Sequence, residues 1–153
     1  MTATNHAITA ANMALITKQW WVLPLALLSH FVLDMLPHYG EPTLEARGAR
    51  FKTVLLVDVV MLTLLTWLVI MTAGQYVWLT LAAMAVAISP DTVWIYRYYR
   101  EHKEGELPMK NPITYFHARI QWGERSWGWI IEIAWFIAML AVFASVVVTT
   151  SLT

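Results

Sequence analysis

Residues 29–38 read Ser29-His30-Phe31-Val32-Leu33-Asp34-Met35-Leu36-Pro37-His38, a His-x-x-x-Asp-x-x-x-His spacing within a segment apolar enough for a membrane interior. On a helix each step of four residues advances about 40°, so the three polar side chains project from one face. Placing a carboxylate at the centre of a membrane helix costs roughly 2.5–3.5 kcal/mol on insertion scales, so such residues usually serve ion, proton or metal chemistry. The face is therefore a candidate functional site.

Outward from this stretch, five apolar segments can be drawn: residues 5–16, 19–36, 51–72, 75–94 and 127–148. A helix needs about 20 residues to cross the hydrocarbon layer, which makes the last three expected spans and the second an adequate one. The first is short enough to suggest a half-inserted helix packed against the second. Ala73-Gly74-Gln75 reads as a tight turn, and Gly40-Glu41-Pro42 and Gly105-Glu106-Leu107-Pro108 punctuate two polar loops. Trp20, Trp21, Trp78, Trp94, Tyr96, Tyr98, Tyr99, Trp127 and Trp129 stand at segment ends, where aromatic rings favour the headgroup layer. The expected fold is an all-α integral membrane bundle of four to five transmembrane helices, one domain over residues 1–153.

Composition supports this reading. Of the 153 residues 59% are hydrophobic and only 13% charged, against about 25% charged in soluble domains. No cysteine is present, which removes disulfides, iron–sulfur clusters, thiolate zinc sites and cysteine nucleophiles. Any metal must be held by His, Asp and Glu, a ligand set suited to zinc, manganese or iron. Net charge is zero with no basic stripe, so nucleic acid is not an expected partner. The first residues lack the basic region and cleavage site of a signal peptide and read as mature sequence.

Charge fixes an expected orientation. Arg47, Arg50 and Lys52 precede the third segment, and Arg97, Arg100, Lys103, Lys110, Arg119 and Arg125 lie between the fourth and fifth; Lys18 alone falls on the other side. The positive-inside rule then places both charged loops and the N-terminus in the cytoplasm. In that topology His6, the group His30/Asp34/His38, Asp58, Asp91 and Glu132 all reach one level, just inside the cytoplasmic interface. The convergence carries the expectation of a metal site built from His6, His30, Asp34, His38, Asp91 and His117, with Asp58 or Glu132 as general base or as a group orienting a ligand.

Each residue has a structural alternative. Asp58 and Glu132 can pair with an Arg or satisfy helix-end amides. Asp91 follows Ser89-Pro90 and can restart a kinked helix. His117 lies in an amphipathic stretch, Tyr115 to Trp122, and reads equally as ligand or interfacial anchor; His102 sits in a charged run and is set aside as surface. Arg119 and Arg125 can hold a lipid phosphate or serve as positive-inside anchors. On a straight helix His30 and His38 lie about 12 Å apart along the axis, too far for one ion, whereas two ions sharing Asp34 would fit.

At Asn5-His6-Ala7-Ile8-Thr9-Ala10, at Ser29-His30 through Asp34 to Pro37-His38, and at Pro90-Asp91, the chain resembles the small multi-spanning proteins classed as membrane-bound metal-dependent hydrolases. The His30/Asp34/His38 helix is also similar, more locally, to the metal helix of zinc-dependent phospholipases C and single-strand nucleases. The chain carries no Arg-Gly-x-Thr-His-Ser element and no Pro-Asp-x-Asp. The resemblance implies one or two divalent ions per chain, zinc first among them, activating water against a lipid-like ester or phosphoester in the cytoplasmic leaflet of the cell membrane. Membrane lipids are the expected partners, with a homo-oligomer or a larger membrane complex as further possibilities. Two other classes remain open. One is a haem- or quinone-binding subunit using His30 and His117 as axial ligands; the other is an ion- or proton-conducting subunit using the carboxylates.

Overall fold

A computed structural model describes residues 1–40, 49–93 and 112–151. Its order is α1 (Ala3–Thr17), α2 (Val22–Asp34), β1 (His38–Tyr39), α3 (Ala49–Thr72), a 3-10 turn (Gly74–Tyr76), α4 (Val77–Ile88), a 3-10 turn (Ser89–Asp91), α5 (Pro112–Ile120), a 3-10 turn (Gln121–Gly123), β2 (Glu124–Arg125) and α6 (Trp129–Ser151). The loop signals at residues 41–42 and 105–108, the basic residues Arg47, Arg97, Arg100, Lys103 and Lys110, the aromatics Trp94, Tyr96, Tyr98 and Tyr99, and His102 lie outside the described residues.

The chain is all-helical as expected, but the count of spans is not. Among the described residues only two helices are long and apolar enough to cross a membrane, Lys52–Thr72 and Trp129–Thr149, rather than four or five. The second segment yields a 13-residue helix, about 20 Å long against a hydrocarbon layer of about 30 Å. Its helix stops at Asp34 because Pro37 pushes the residue before it toward extended backbone. The fourth segment yields 12 residues. Gly74, with φ of 54°, turns the chain before it, and Pro90 replaces its last turn with a 3-10 turn.

The first helix is also more than a half-inserted appendage of the second. Helix α1 packs against α4, α6, α2 and α3, and Ala7, Ile8, Ala10, Ala11 and Ala14 have no exposed surface. One side of α1, through Ala7, Ile8, Ala11 and Leu15, meets Leu65 and Val69 of α3, Met84 of α4 and Phe143 of α6. The other, through Ala10 and Ala14, meets Val22 and Ala26 of α2 and Leu79, Ala83 and Ala87 of α4. Alanines on both sides of these contacts let the backbones approach closely, which favours dispersion contacts. The helix ends at Lys18, whose left-handed backbone sends its N–H to Ala14 O.

A polar seam runs down the contact of α1 with α6. Asn5 Nδ2 donates to Glu132 O at 3.2 Å, Trp135 Nε1 to Thr9 Oγ1 at 2.9 Å, and Asn12 Nδ2 to Met139 O at 2.9 Å. Positions 5, 9 and 12 share one helical face, so the three bonds fix the register of α1 on α6.

Helices α3 and α6 face outward over most of their length. Only 11% of each apolar window is buried, and Leu56, Trp67, Met71, Ile133 and Ile137 are exposed. A core helix of the same composition would be mostly buried.

Candidate metal centre

The site assembles at the end of the bundle where α1, α3 and α6 begin and α2 and α4 finish. His30 and Asp34, four apart on α2, face the same way. Pro90 ends α4 so that Asp91 comes off a 3-10 turn against them, and α5 turns His117 inward while Tyr115 and Phe116 stay exposed. His117 is thus buried beside His30 and Asp34, while its aromatic neighbours lie on the surface.

His117 Nε2 lies 2.8 Å and His30 Nε2 3.1 Å from Asp34 Oδ2, and the two nitrogens are 3.1 Å apart. Asp91 Oδ1 is 3.8 Å from each imidazole nitrogen. One ligand atom from each of His30, Asp34, Asp91 and His117 can be chosen so that all lie within 4.8 Å of one another. Metal–nitrogen bonds of about 2.0–2.1 Å in a tetrahedral site imply ligand–ligand edges of about 3.3 Å. Five of the six edges, at 2.8–3.8 Å, bracket that value, and the sixth, between Asp34 and Asp91, lies within 4.8 Å. Two imidazoles and two carboxylates also supply the negative charge a divalent ion needs.

His6 approaches from α1. Its Nε2 is 3.1 Å from Asp34 Oδ1, and its ring stacks on that of His30 with centroids 4.1 Å apart. The Met1 amine donates to the same Oδ1 at 2.6 Å. Asp34 is thus the hub of the cluster, with imidazoles on both oxygens. The Nδ1 atoms of His6 and His30 are buried and have no partner among the described residues. With Nε2–H donating to Asp34, each Nδ1 is a bare lone pair, a smaller penalty than a buried N–H would be.

Three predicted residues stand near the cluster without joining that four-residue group. His38 falls in β1, where its Nδ1–H donates to Leu36 O at 2.8 Å; burial pushes its pKa below the ordinary histidine value. Asp58 binds the start of α1: Oδ2 accepts from Ala3 N and Oδ1 from Thr4 N, both at 2.9 Å, and Oδ1 also accepts from Thr4 Oγ1 at 2.6 Å. That is the helix-end alternative raised by its sequence position, with a negative charge at the positive end of α1. Glu132 is buried, with Oε1 accepting from Tyr39 N at 3.4 Å, so it ties β1 to α6. Of the two arginines near this level, Arg125 is exposed and its guanidinium donates to Trp122 O and Glu124 O at 3.0 and 2.7 Å, while Arg119 is exposed on α5.

A short parallel pairing, His38 with Glu124 and Tyr39 with Arg125, joins the chain after α2 to the chain before α6. It has no counterpart in the apolar pattern. Glycine makes it possible: a Cβ on Gly123 would stand 2.5 Å from Leu36 O, and one on Gly128 would meet the His38 carbonyl and lie 2.6 Å from Tyr39 N. The role of Asn5, Thr9 and Asn12 as a seam is likewise absent from the sequence reading, although polar residues at one helical face of an alanine-rich segment are a visible signal.

No protein-family model matches the chain, and no curated protein or solved structure is significantly similar to it.

Proposed function

We propose that this chain is a membrane-embedded hydrolase dependent on a divalent metal, zinc first, acting on a lipid-like ester or phosphoester from the cytoplasmic leaflet. One observation carries the reading: three elements distant in sequence bring two imidazoles and two carboxylates within metal-binding distance of one another. A bound divalent ion would supply Lewis acidity and a water acidic enough to yield hydroxide near pH 7. His30, Asp34, His117 and Asp91 would hold it. His6, on the far oxygen of Asp34, would fix the orientation of that carboxylate.

The membrane arrangement follows from the same frame. Helices α3 and α6 cross the bilayer with their exposed apolar faces toward lipid, while α1, α2 and α4 complete a multi-pass bundle around them. The basic residues Arg119 and Arg125 stand at the end that carries the cluster and Lys18 at the other, which orients the cluster and the N-terminus to the cytoplasm. The haem alternative is less well served by this geometry. Axial imidazoles need a macrocycle between them, whereas His30 and His117 both touch the single oxygen Asp34 Oδ2.

Elemental analysis of protein purified without chelator tests the reading. Stoichiometric zinc, manganese or iron, lost in both His30→Ala and Asp34→Ala, is expected together with metal-dependent cleavage of a lipid ester or phosphoester. Absence of metal from the unsubstituted protein overturns it.

A further inference from the structure

The four members of the cluster are not equivalent. The side chains of His30, Asp34 and His117 are 0%, 1% and 2% exposed, whereas that of Asp91 is 25% exposed. The first three form a compact triangle with edges of 2.8–3.1 Å; Asp91 stands off it, 3.8 Å from both imidazole nitrogens. The supports differ in the same sense. His30 and Asp34 belong to one regular helix, with Asp34 further held by His6 and the Met1 amine. Asp91 lies in the 3-10 turn Ser89–Asp91 between α4 and helical residues 92–93, and among the described residues no donor lies within hydrogen-bonding distance of its carboxylate.

Asp91 therefore keeps part of its side chain exposed while standing against a preassembled set of three buried ligands. Closed four-ligand sites are structural, while hydrolytic sites keep three protein ligands and one exchangeable position. We infer that His30, Asp34 and His117 are the permanent ligands and that Asp91 guards the exchangeable position, giving way there to an oxyanion of the phosphoester class. This rests on the metal reading above and adds to it the side from which substrate reaches the ion. On exchange, one Asp91 carboxylate oxygen leaves the ion and one phosphoryl oxygen takes its place, with no other bond changed.

Cobalt(II) loading of the purified full chain in phosphatidylcholine nanodiscs tests this without any assay of turnover. In Asp91→Ala the protein should keep one equivalent of cobalt with affinity reduced less than about tenfold, while His30→Ala and Asp34→Ala lose about a hundredfold or more. Inorganic phosphate should shift the visible cobalt spectrum of Asp91→Ala at lower concentration than that of the unsubstituted protein, because no tethered carboxylate competes. A second set of nanodiscs containing phosphatidic acid separates the sources: a shift there without added phosphate identifies a lipid headgroup as the oxyanion, and a shift with inorganic phosphate alone identifies a water-borne one. Asp91→Asn, which keeps the side-chain volume, repeats the comparison where the alanine variant folds poorly. Cobalt lost from the Asp91 variants as completely as from His30→Ala overturns the inference and leaves the metal reading standing, as does retained cobalt whose spectrum ignores both phosphate sources. An unsubstituted chain that binds no cobalt overturns the metal reading itself.

Discussion

Asp34→Asn is the sharpest perturbation, because it preserves shape while removing one acceptor from the hub. Asp34 Oδ2 accepts from His30 and His117, and Oδ1 from His6 and the Met1 amine. Whichever way the amide turns, at least one imidazole N–H then faces an NH2 group. A hydrogen bond to a charged partner contributes about 1.5–3 kcal/mol, so the metal-free variant should be destabilised by at least about that amount. The metal response discriminates further. At zinc a hundredfold above its dissociation constant, the unsubstituted protein gains about 2.7 kcal/mol, and a variant binding a hundredfold more weakly gains only about 0.4 kcal/mol. Denaturant titrations in detergent, with and without zinc, read both effects. A variant that is destabilised yet keeps the full zinc increment would refute Asp34 as a ligand; an unsubstituted protein indifferent to zinc would refute the metal centre.

Four other outcomes are expected. Asp58→Asn should weaken the bundle by about 1–2 kcal/mol through its lost capping of α1, with metal stoichiometry unchanged; a variant of full stability that no longer hydrolyses substrate would restore Asp58 as a base. Gly128→Ala should cost at least about 1–3 kcal/mol, because the new methyl meets β1 backbone rather than a movable side chain, and unchanged melting would contradict that contact. Asn12→Leu should lose about 0.6 kcal/mol, up to about 1.7, as typical of bonds between membrane helices, and a stabilised variant would show that the seam does not fasten α1 to α6. His38 titrates below the ordinary histidine value when folded, so the unfolded chain takes its proton first as pH falls through about 6.5. Stability should therefore drop below that pH by up to about 1.4 kcal/mol per unit from this residue, present in the unsubstituted protein and absent in His38→Gln. Identical pH profiles for the two would sink that assignment.

The sequence by itself determined that the chain is helical and where its awkward polar residues lie. Residues 30 and 34 had to share a face once helical, because four residues exceed one turn by only about 40°. Alternating the direction of successive segments was enough to bring His6, Asp34, Asp58, Asp91 and Glu132 to one end of the bundle. That reasoning works because hydrophobic length and helical period are local properties of the chain.

Only the tertiary structure decided how those residues divide. Which carboxylate meets an imidazole and which meets a helix end depends on lateral packing. Asp58 is drawn to the amides of Ala3 and Thr4, and Asp34 to three imidazoles, yet both are single acidic residues in apolar runs. Helix ends were likewise set by backbone events that hydropathy does not register: α2 starts only at Val22 after a turn and stops before Pro37, and Pro90 ends regular α4 although its apolar run continues to residue 94. The central place of α1 had the same origin. Its alanines look like a weak, short membrane segment, but their small size lets four other helices close around them, and that closure carries His6 to Asp34.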